Sequence, residues 1–364
     1  MEYEEERPNI IIDNGTNKCK VGFSNEDEPK FCFPNIIGSL ENNENVFLFG
    51  NEAYENETFK YPIENGTIID WNGMEKIWDY IFTNKLRVDP SEHNIMITEK
   101  SLNPKNNKEK ISQIMFENFE VSGLYIANPA VLSLLSIGRF TGFVIDSGES
   151  ISSFVPIFEG YSLPNSMIKM DLAGKDITDY LIKILEQEIG ATFKTFKDKK
   201  INSTYIKENT CYVALDFEKE KTIYKPMTYK MPDGKEITIK DQRFRIPEIL
   251  FHPEICGKYF DGIAQNCINS INKSDNDLKR DLYSCIYLSG GSTLFSGFPE
   301  RLTKEIQILA PEMKYKLKVL AEPNRKFSSW IGGAILSISS FDSMWITRDE
   351  YNENGTSIIH KKCF

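Results

Sequence analysis

An apolar strand running straight into an Asp-x-Gly turn occurs twice in this chain, in matching surroundings. No other feature constrains the fold as much. Ile10-Ile11-Ile12-Asp13-Asn14-Gly15 is answered by Gly142-Phe143-Val144-Ile145-Asp146-Ser147-Gly148. A second strand-like run follows each, Lys20-Val21-Gly22-Phe23 and Phe154-Val155-Pro156-Ile157. Two like hairpins heading two similar halves predict a duplicated domain whose halves face each other across a cleft.

The rest of the pattern is α/β, with strand-like runs alternating with helix-like ones. A helical period carries Met74, Ile77, Trp78 and Ile81 within 74–86; Ile111, Ile114, Met115 and Phe119 repeat it, as do Ile177, Leu181, Ile184, Leu185 and Ile189. Strands are predicted at 9–12, 142–145, 154–158 and 285–288. At 364 residues and 40% hydrophobic, the chain is long enough for two domains.

The turns suggest a chemistry. A glycine-bearing hairpin turns successive N–H groups outward, and such a nest binds phosphate oxygens. An Asp at the strand end places a carboxylate where it can orient the waters of a phosphate-bound Mg²⁺. Either turn alone reads as an ordinary hairpin; as a pair they would clamp a polyphosphate, with Lys20 adding positive charge. A third glycine turn, Ser289-Gly290-Gly291-Ser292-Thr293, follows the strand at 285–288 and precedes a helix-like stretch near 299–309. Glycine there lets a nucleotide approach the backbone closely.

Charge and composition exclude other classes. A net charge of -10 argues against nucleic acid or an anionic membrane as a direct partner. The acidic start Glu2, Glu4, Glu5, Glu6 is the reverse of a signal peptide, and no apolar run approaches a membrane span. Seven scattered cysteines read as free thiols in a reducing compartment, not as a disulfide frame or zinc site, and three histidines far apart in sequence argue against a histidine-based metal site or triad.

Longer runs carry a resemblance. Ile12-Asp13-Asn14-Gly15, Lys60-Tyr61-Pro62-Ile63-Glu64, Met74-Glu75-Lys76-Ile77-Trp78, Asp171-Leu172-Ala173-Gly174, Cys211-Tyr212-Val213-Ala214-Leu215-Asp216-Phe217-Glu218, Leu288-Ser289-Gly290-Gly291, Trp330-Ile331-Gly332-Gly333 and the closing His360-Lys361-Lys362-Cys363-Phe364 all resemble actin. The likeness runs from about Ile10 to Phe364. It implies the duplicated ATPase fold shared by actin, sugar kinases and heat-shock chaperones, with two lobes around a nucleotide cleft. The expected lobes are 1–136, with a small insertion at about 35–62 and the segment 327–364 returning to it, and 137–326, with an insertion at about 175–250.

The same resemblance implies a site for ATP or ADP with Mg²⁺ or Ca²⁺. Asn14, Gly15, Thr16 and Lys20 match the first phosphate loop, and Asp146, Ser147 and Gly148 the second. Gly174, Lys207, Glu208, Gly291, Ser292 and Lys326 match positions around ribose and adenine. Read alone, Lys207 and Glu208 are surface charges. Asp13 and Asp146 match the carboxylates that hold the metal through water. Asn17 replaces a glycine of the first loop, a change that asparagine's tolerance of positive φ would absorb.

Other departures bear on function. Pro129 stands where actin has the glutamine that places the attacking water, and Ser153 where it has a cleft histidine. Within the same loop Glu149 replaces an aspartate and Ser150 a glycine. Between Gly38 and Gly50 the chain is several residues shorter than actin, and 39–45 is acidic and polar, which weakens the loop that inserts into the next filament subunit. The stretch before Met231-Pro232-Asp233-Gly234 is shorter too, and Asn65 follows Glu64 where actin has its modified histidine. The expectation is an ATP-binding, actin-like cytoskeletal protein of the cytoplasm with weak or lost ATP hydrolysis. It would assemble with its own kind, with actin or with actin-binding proteins. The alternative is a non-polymerising actin-related subunit of a larger complex, in the nucleus for instance, holding ATP as a structural ligand.

Overall fold

The computed structural model describes residues 7–40, 43–55, 59–100, 102–193, 195–231, 234, 236–338 and 342–363. The acidic start at 2–6, Glu41 and Asn42 of the shortened loop, Pro232, Asp233 and Phe364 lie outside them. The chain divides into two compact units, one of Met1–Phe140, Glu159–Pro164 and Phe327–Phe364, the other of Thr141–Phe158 and Asn165–Lys326.

In the first unit, Ile10–Asn14, Lys18–Phe23 and Phe31–Pro34 form an antiparallel meander. The first of these strands also pairs in parallel with Asn94–Thr98, which pairs in parallel with Gly123–Ala127. Ile346–Thr347 adds an antiparallel edge. The second unit repeats the scheme. Gly142–Ser147, Ser152–Phe158 and Ile168–Met170 are antiparallel neighbours, and Gly142–Ser147 runs parallel to Ile286–Ser289, itself parallel to Val319–Leu320. Each half therefore orders its strands third, second, first, fourth, fifth. The repeated Asp-x-Gly hairpins head both, as the sequence predicts.

Hydrophobic burial holds each unit. Ile10, Ile12, Trp78 and Ile95 belong to one core, and Phe143, Ile145, Leu181 and Leu288 to the other, all at 0% exposure. Burying one such side chain contributes about 1.5–3 kcal/mol. Trp330 is also fully buried, its indole N–H donating to the Ile11 carbonyl at 3.1 Å. Its helix, Ser328–Ile338, crosses Pro129–Leu135 so closely that a Cβ on Gly332 would stand 1.8 Å from the Leu132 oxygen. Only glycine fits that crossing.

Helix boundaries differ from the periodic reading. The helix expected from Met74 begins at Trp71, because the Asp70 carboxylate caps it by accepting from the Gly73 amide at 2.9 Å. From Ile81 to Leu86 the turns widen to π-helical pitch, and Lys105–Gln113 likewise continues as a π-helical turn at Ile114–Asn118. Apolar spacing marks which face is buried. It does not report the local pitch.

Each sheet carries an insertion. In the first unit Ile37–Leu40 and Asn43–Phe49 make a hairpin, with Phe59–Lys60 on its other edge. In the second, Met227–Lys230 pairs with Glu236–Ile239, preceded by helices Phe196–Thr210 and Phe217–Ile223.

Candidate functional site

Asp13 and Asn14, Asp146 and Ser147, and the Gly290-Gly291 turn stand at the carboxyl ends of Ile10–Asn14, Gly142–Ser147 and Ile286–Ser289, which is where open α/β sheets bind ligands. In the first unit Asn14 pairs with Cys19, leaving residues 15–18 as the connection. The parallel pairing of Ile12 with Ile97 sets Thr98 beside Asp13. Thr98 Oγ1 donates to Asp13 Oδ1 at 2.7 Å and accepts from the Asn14 amide at 3.1 Å. Lys20 Nζ lies 2.5 Å from Asp13 Oδ2. Burial pushes the Asp13 pKa up, but the Lys20 charge and the Lys20 and Thr98 hydrogen bonds outweigh it and hold the carboxyl below its usual range. Asp13 is therefore a buried, ionised group, and Lys20, expected to offer its charge outward, spends part of it on Asp13.

Asn14 Oδ1 accepts from the Trp78 indole at 3.4 Å, whereas its buried Nδ2 has no partner. Asn17 is not among the residues with positive φ. The turn does not need the left-handed conformation that asparagine was expected to supply, and this explains how the loop accommodates a side chain there.

In the second unit Ser147 pairs with Ser152, so residues 148–151 make a connection of the same length. Ser147 Oγ is 2.8 Å from Ser152 Oγ, which donates to the Leu172 carbonyl at 2.8 Å. The amides of Gly174 and Lys175 donate to the carbonyls of Gly148 and Glu149 at 3.0 and 2.6 Å. These bonds tie the loop to the start of helix Gly174–Gln187. Asp146 is 7% exposed, flanked in the sheet by Ser153 and Ser289.

The third glycine turn closes on the second. Gly290 has φ +87°, and a Cβ there would lie 2.2 Å from the Ser147 oxygen, so both conformation and space require glycine. Ser292 Oγ donates to the Gly148 carbonyl at 2.6 Å. Lys207 is 7% exposed and donates to the Gly174 carbonyl at 3.0 Å and to Thr178 Oγ1 at 2.8 Å. Reading it alone as a surface charge is therefore wrong: its helix packs against Gly174–Gln187 and buries its ammonium on that helix's first turn. Its neighbour Glu208 is exposed, as is Lys326.

Sequence reasoning missed the braces. Thr98 is one. Arg325 is another, donating through Nε to Thr293 Oγ1 at 2.9 Å, through Nη2 to the Thr293 carbonyl at 2.7 Å and through Nη1 to the Glu322 carbonyl at 2.8 Å. It sets the shape of the third turn. A lone Arg after a Pro-Asn pair carries no local signal of that role.

Pro129 opens helix Pro129–Leu135 at its first turn, with Asn128 as the cap accepting from the Ala130 amide at 3.0 Å. Proline suits this position because its missing N–H would have no helical partner. It is buried and brings no polar side-chain atom. Ser153 is half-buried between Asp146 and Lys169 on adjacent strands.

A phosphate chain with its cation needs unpaired donors, room beside the backbone and an ionised carboxylate. In the first unit Asn14 Nδ2 is such a donor and Asp13 is charged; in the second, Gly148 and Gly291 face open space where a Cβ would touch nothing within 4 Å. Each unit's turns, taken by themselves, suit part of such a ligand.

Duplicated sheets with Asp-ended and glycine-bearing turns at their strand ends define the two-lobed α/β nucleotide-binding class. The sequence model of one family, Actin, matches residues 4–364, and the chain belongs to the actin family. It is an actin-like ATP-binding protein with the actin-type fold. Among the described residues no helix is long and apolar enough to cross a membrane.

Proposed function

We propose that this chain holds ATP with Mg²⁺, or Ca²⁺, and retains the γ-phosphate far longer than a conventional actin does. In this reading Asn14, Gly15, Thr16, Lys20, Ser147 and Gly148 take the phosphates. Gly174, Lys207, Glu208, Gly291, Ser292 and Lys326 surround the nucleoside, and Asp13 and Asp146 hold the cation through water. When bound, the cation would neutralise phosphate charge.

The observation that carries the slow hydrolysis is Pro129. It is built into a capped helix start, and it has neither amide nor side-chain polar atom with which to orient water. Asn128, the adjacent polar side chain, is committed to capping the same helix. A positioned proton-transfer group contributes about 10²- to 10⁴-fold in rate. With a serine at 153 as well, turnover falls while binding, which rests on turns and charges, persists.

The cell-level role we assign is cytoskeletal and cytoplasmic, with assembly into filaments of its own or with actin, and with actin-binding proteins as partners. One observation favours the second reading, a non-polymerising subunit of a larger complex. Leu40 pairs with Asn43 in the first unit's hairpin, which leaves little chain to reach a neighbouring subunit. High-speed pelleting in polymerising salt with Mg-ATP, with released phosphate assayed in the same tubes, separates them. A pellet with little phosphate supports the filament; ATP retained without a pellet supports the subunit; phosphate release at conventional actin rates overturns the proposal.

A further inference from the structure

The second unit also contains a groove of about 360 Å³ that the nucleotide reading leaves unused. Leu215, Phe217 and Ile255 form apolar wall, and the floor is a buried ion pair. Arg301 Nη2 donates to Glu248 Oε1 at 2.7 Å and Nη1 to Oε2 at 3.1 Å, Glu248 being 0% exposed. The same guanidinium donates to the Ala214 carbonyl at 2.8 Å and to Glu305 Oε1 at 2.7 Å, so its donors are nearly used up. The other lining cation, Lys304, donates to the Leu215 carbonyl at 3.0 Å. It also lies 3.5 Å from Asp216 Oδ2, so both cations are engaged within the protein.

The balance of charge at the mouth is acidic. Asp216, Glu218 and Glu254 stand there with side chains 52, 79 and 56% exposed; Lys304 lies 3.5 Å from the first, Lys221 2.7 Å from the second and His252 3.1 Å from the third, and each carboxylate keeps surface open to solvent. Counting the whole lining, five carboxylates meet two cations. The volume is at the small end of the roughly 300–1,000 Å³ of ligand pockets, enough for long side chains and too little for a folded element. Among the described residues no cluster of three or more His, Cys, Asp or Glu is placed to hold a metal ion.

We propose that this groove docks a lysine- or arginine-bearing segment of a partner protein. Long basic side chains lay their aliphatic stems on apolar surface and keep the charged head among acids. Leu215, Phe217 and Ile255 take the stem, and Asp216, Glu218 and Glu254 the head. Leu215, 53% exposed, carries apolar surface past the rim, which a peptide backbone covers and a small cation does not.

The test is fluorescence anisotropy of a labelled peptide of alternating arginine and alanine, eight residues long, titrated with the intact chain. Glu218→Lys with Glu254→Lys alters two exposed groups and leaves the core alone. Asp277→Lys with Asp281→Lys, on helix Asn276–Ser284 of the same unit, makes the same change of net charge elsewhere. We expect at least tenfold weaker binding for the first pair and less than twofold for the second, with a photoreactive version of the peptide cross-linking within 215–218 or 252–255. Equal losses for both pairs would mean diffuse attraction by an acidic protein and overturn the proposal. Displacement of the peptide by spermine at equal charge concentration would reject a protein segment as occupant.

Discussion

Lys20 Nζ lies 2.5 Å from Asp13 Oδ2, across a register pair that joins the first two strands of the first unit. With Thr98 on the other oxygen, this pairing keeps a buried carboxylate charged at the end of the strand. Lys20→Met leaves that charge uncompensated, and we expect a loss of about 3–5 kcal/mol in unfolding free energy. The native pKa of Asp13 is depressed, so its contribution is present above the ordinary carboxylate range and is lost as pH falls. Urea midpoints measured across acid pH should lose this downward limb in the variant, because burial no longer opposed by Lys20 favours the protonated carboxyl. An unchanged acid limb would contradict the pairing.

Glu99 behaves in the opposite sense. It is 8% exposed, and burial pushes its carboxyl from 4.5 up to about 7, against the Lys108 charge and a hydrogen bond from Asn103. A raised native pKa favours folding most below the unfolded value, and that stability drains away as pH rises from about 4.5 through about 7. The full swing is on the order of 3 kcal/mol. Glu99→Gln should flatten urea midpoints over this window; the same slope in variant and parent would locate the titration elsewhere.

The penultimate thiol is shielded. Cys363 Sγ accepts from the Ile126 amide at 3.3 Å, is 3% exposed, and burial pushes its pKa up to about 11. Cys32 is exposed and Cys256 half-buried, while the other four cysteines are buried. Alkylation at pH 8 followed by mass spectrometry should label Cys32 first, Cys256 next and Cys363 only on unfolding, because the thiolate is the reacting form. Labelling of Cys363 at the rate of Cys32 would contradict this arrangement.

Restoring the water-positioning side chains should restore turnover. Pro129→Gln keeps the Asn128 cap, and Ser153→His enters a half-buried strand position. Together they should raise the rate of phosphate release by about 10²-fold or more. A double variant that binds ATP and stays as slow as the parent would refute this explanation of the slow step.

The duplication was legible because its signal is local: Ile10-Ile11-Ile12-Asp13 and Phe143-Val144-Ile145-Asp146 each carry strand and turn within a few residues. What stayed hidden depends on neighbours distant in sequence. Thr98 reaches Asp13 only through a parallel pairing, and Arg325 reaches Thr293 only once Val319–Leu320 has docked beside Ile286–Ser289. The burial of Lys207 follows from its helix packing against Gly174–Gln187, which its own sequence does not encode. Asn17 misled because a glycine-to-asparagine change suggests positive φ, whereas the turn demands none.

The most direct measurement loads the purified chain with an equal mixture of ATP labelled in the α- and γ-phosphates, in Mg²⁺, and follows both labels after rapid gel filtration. We expect both to stay bound in equal amount over the interval in which conventional actin, polymerised in parallel, has released its γ label. Loss of the γ label at the conventional rate, or failure to retain either label, would contradict the account.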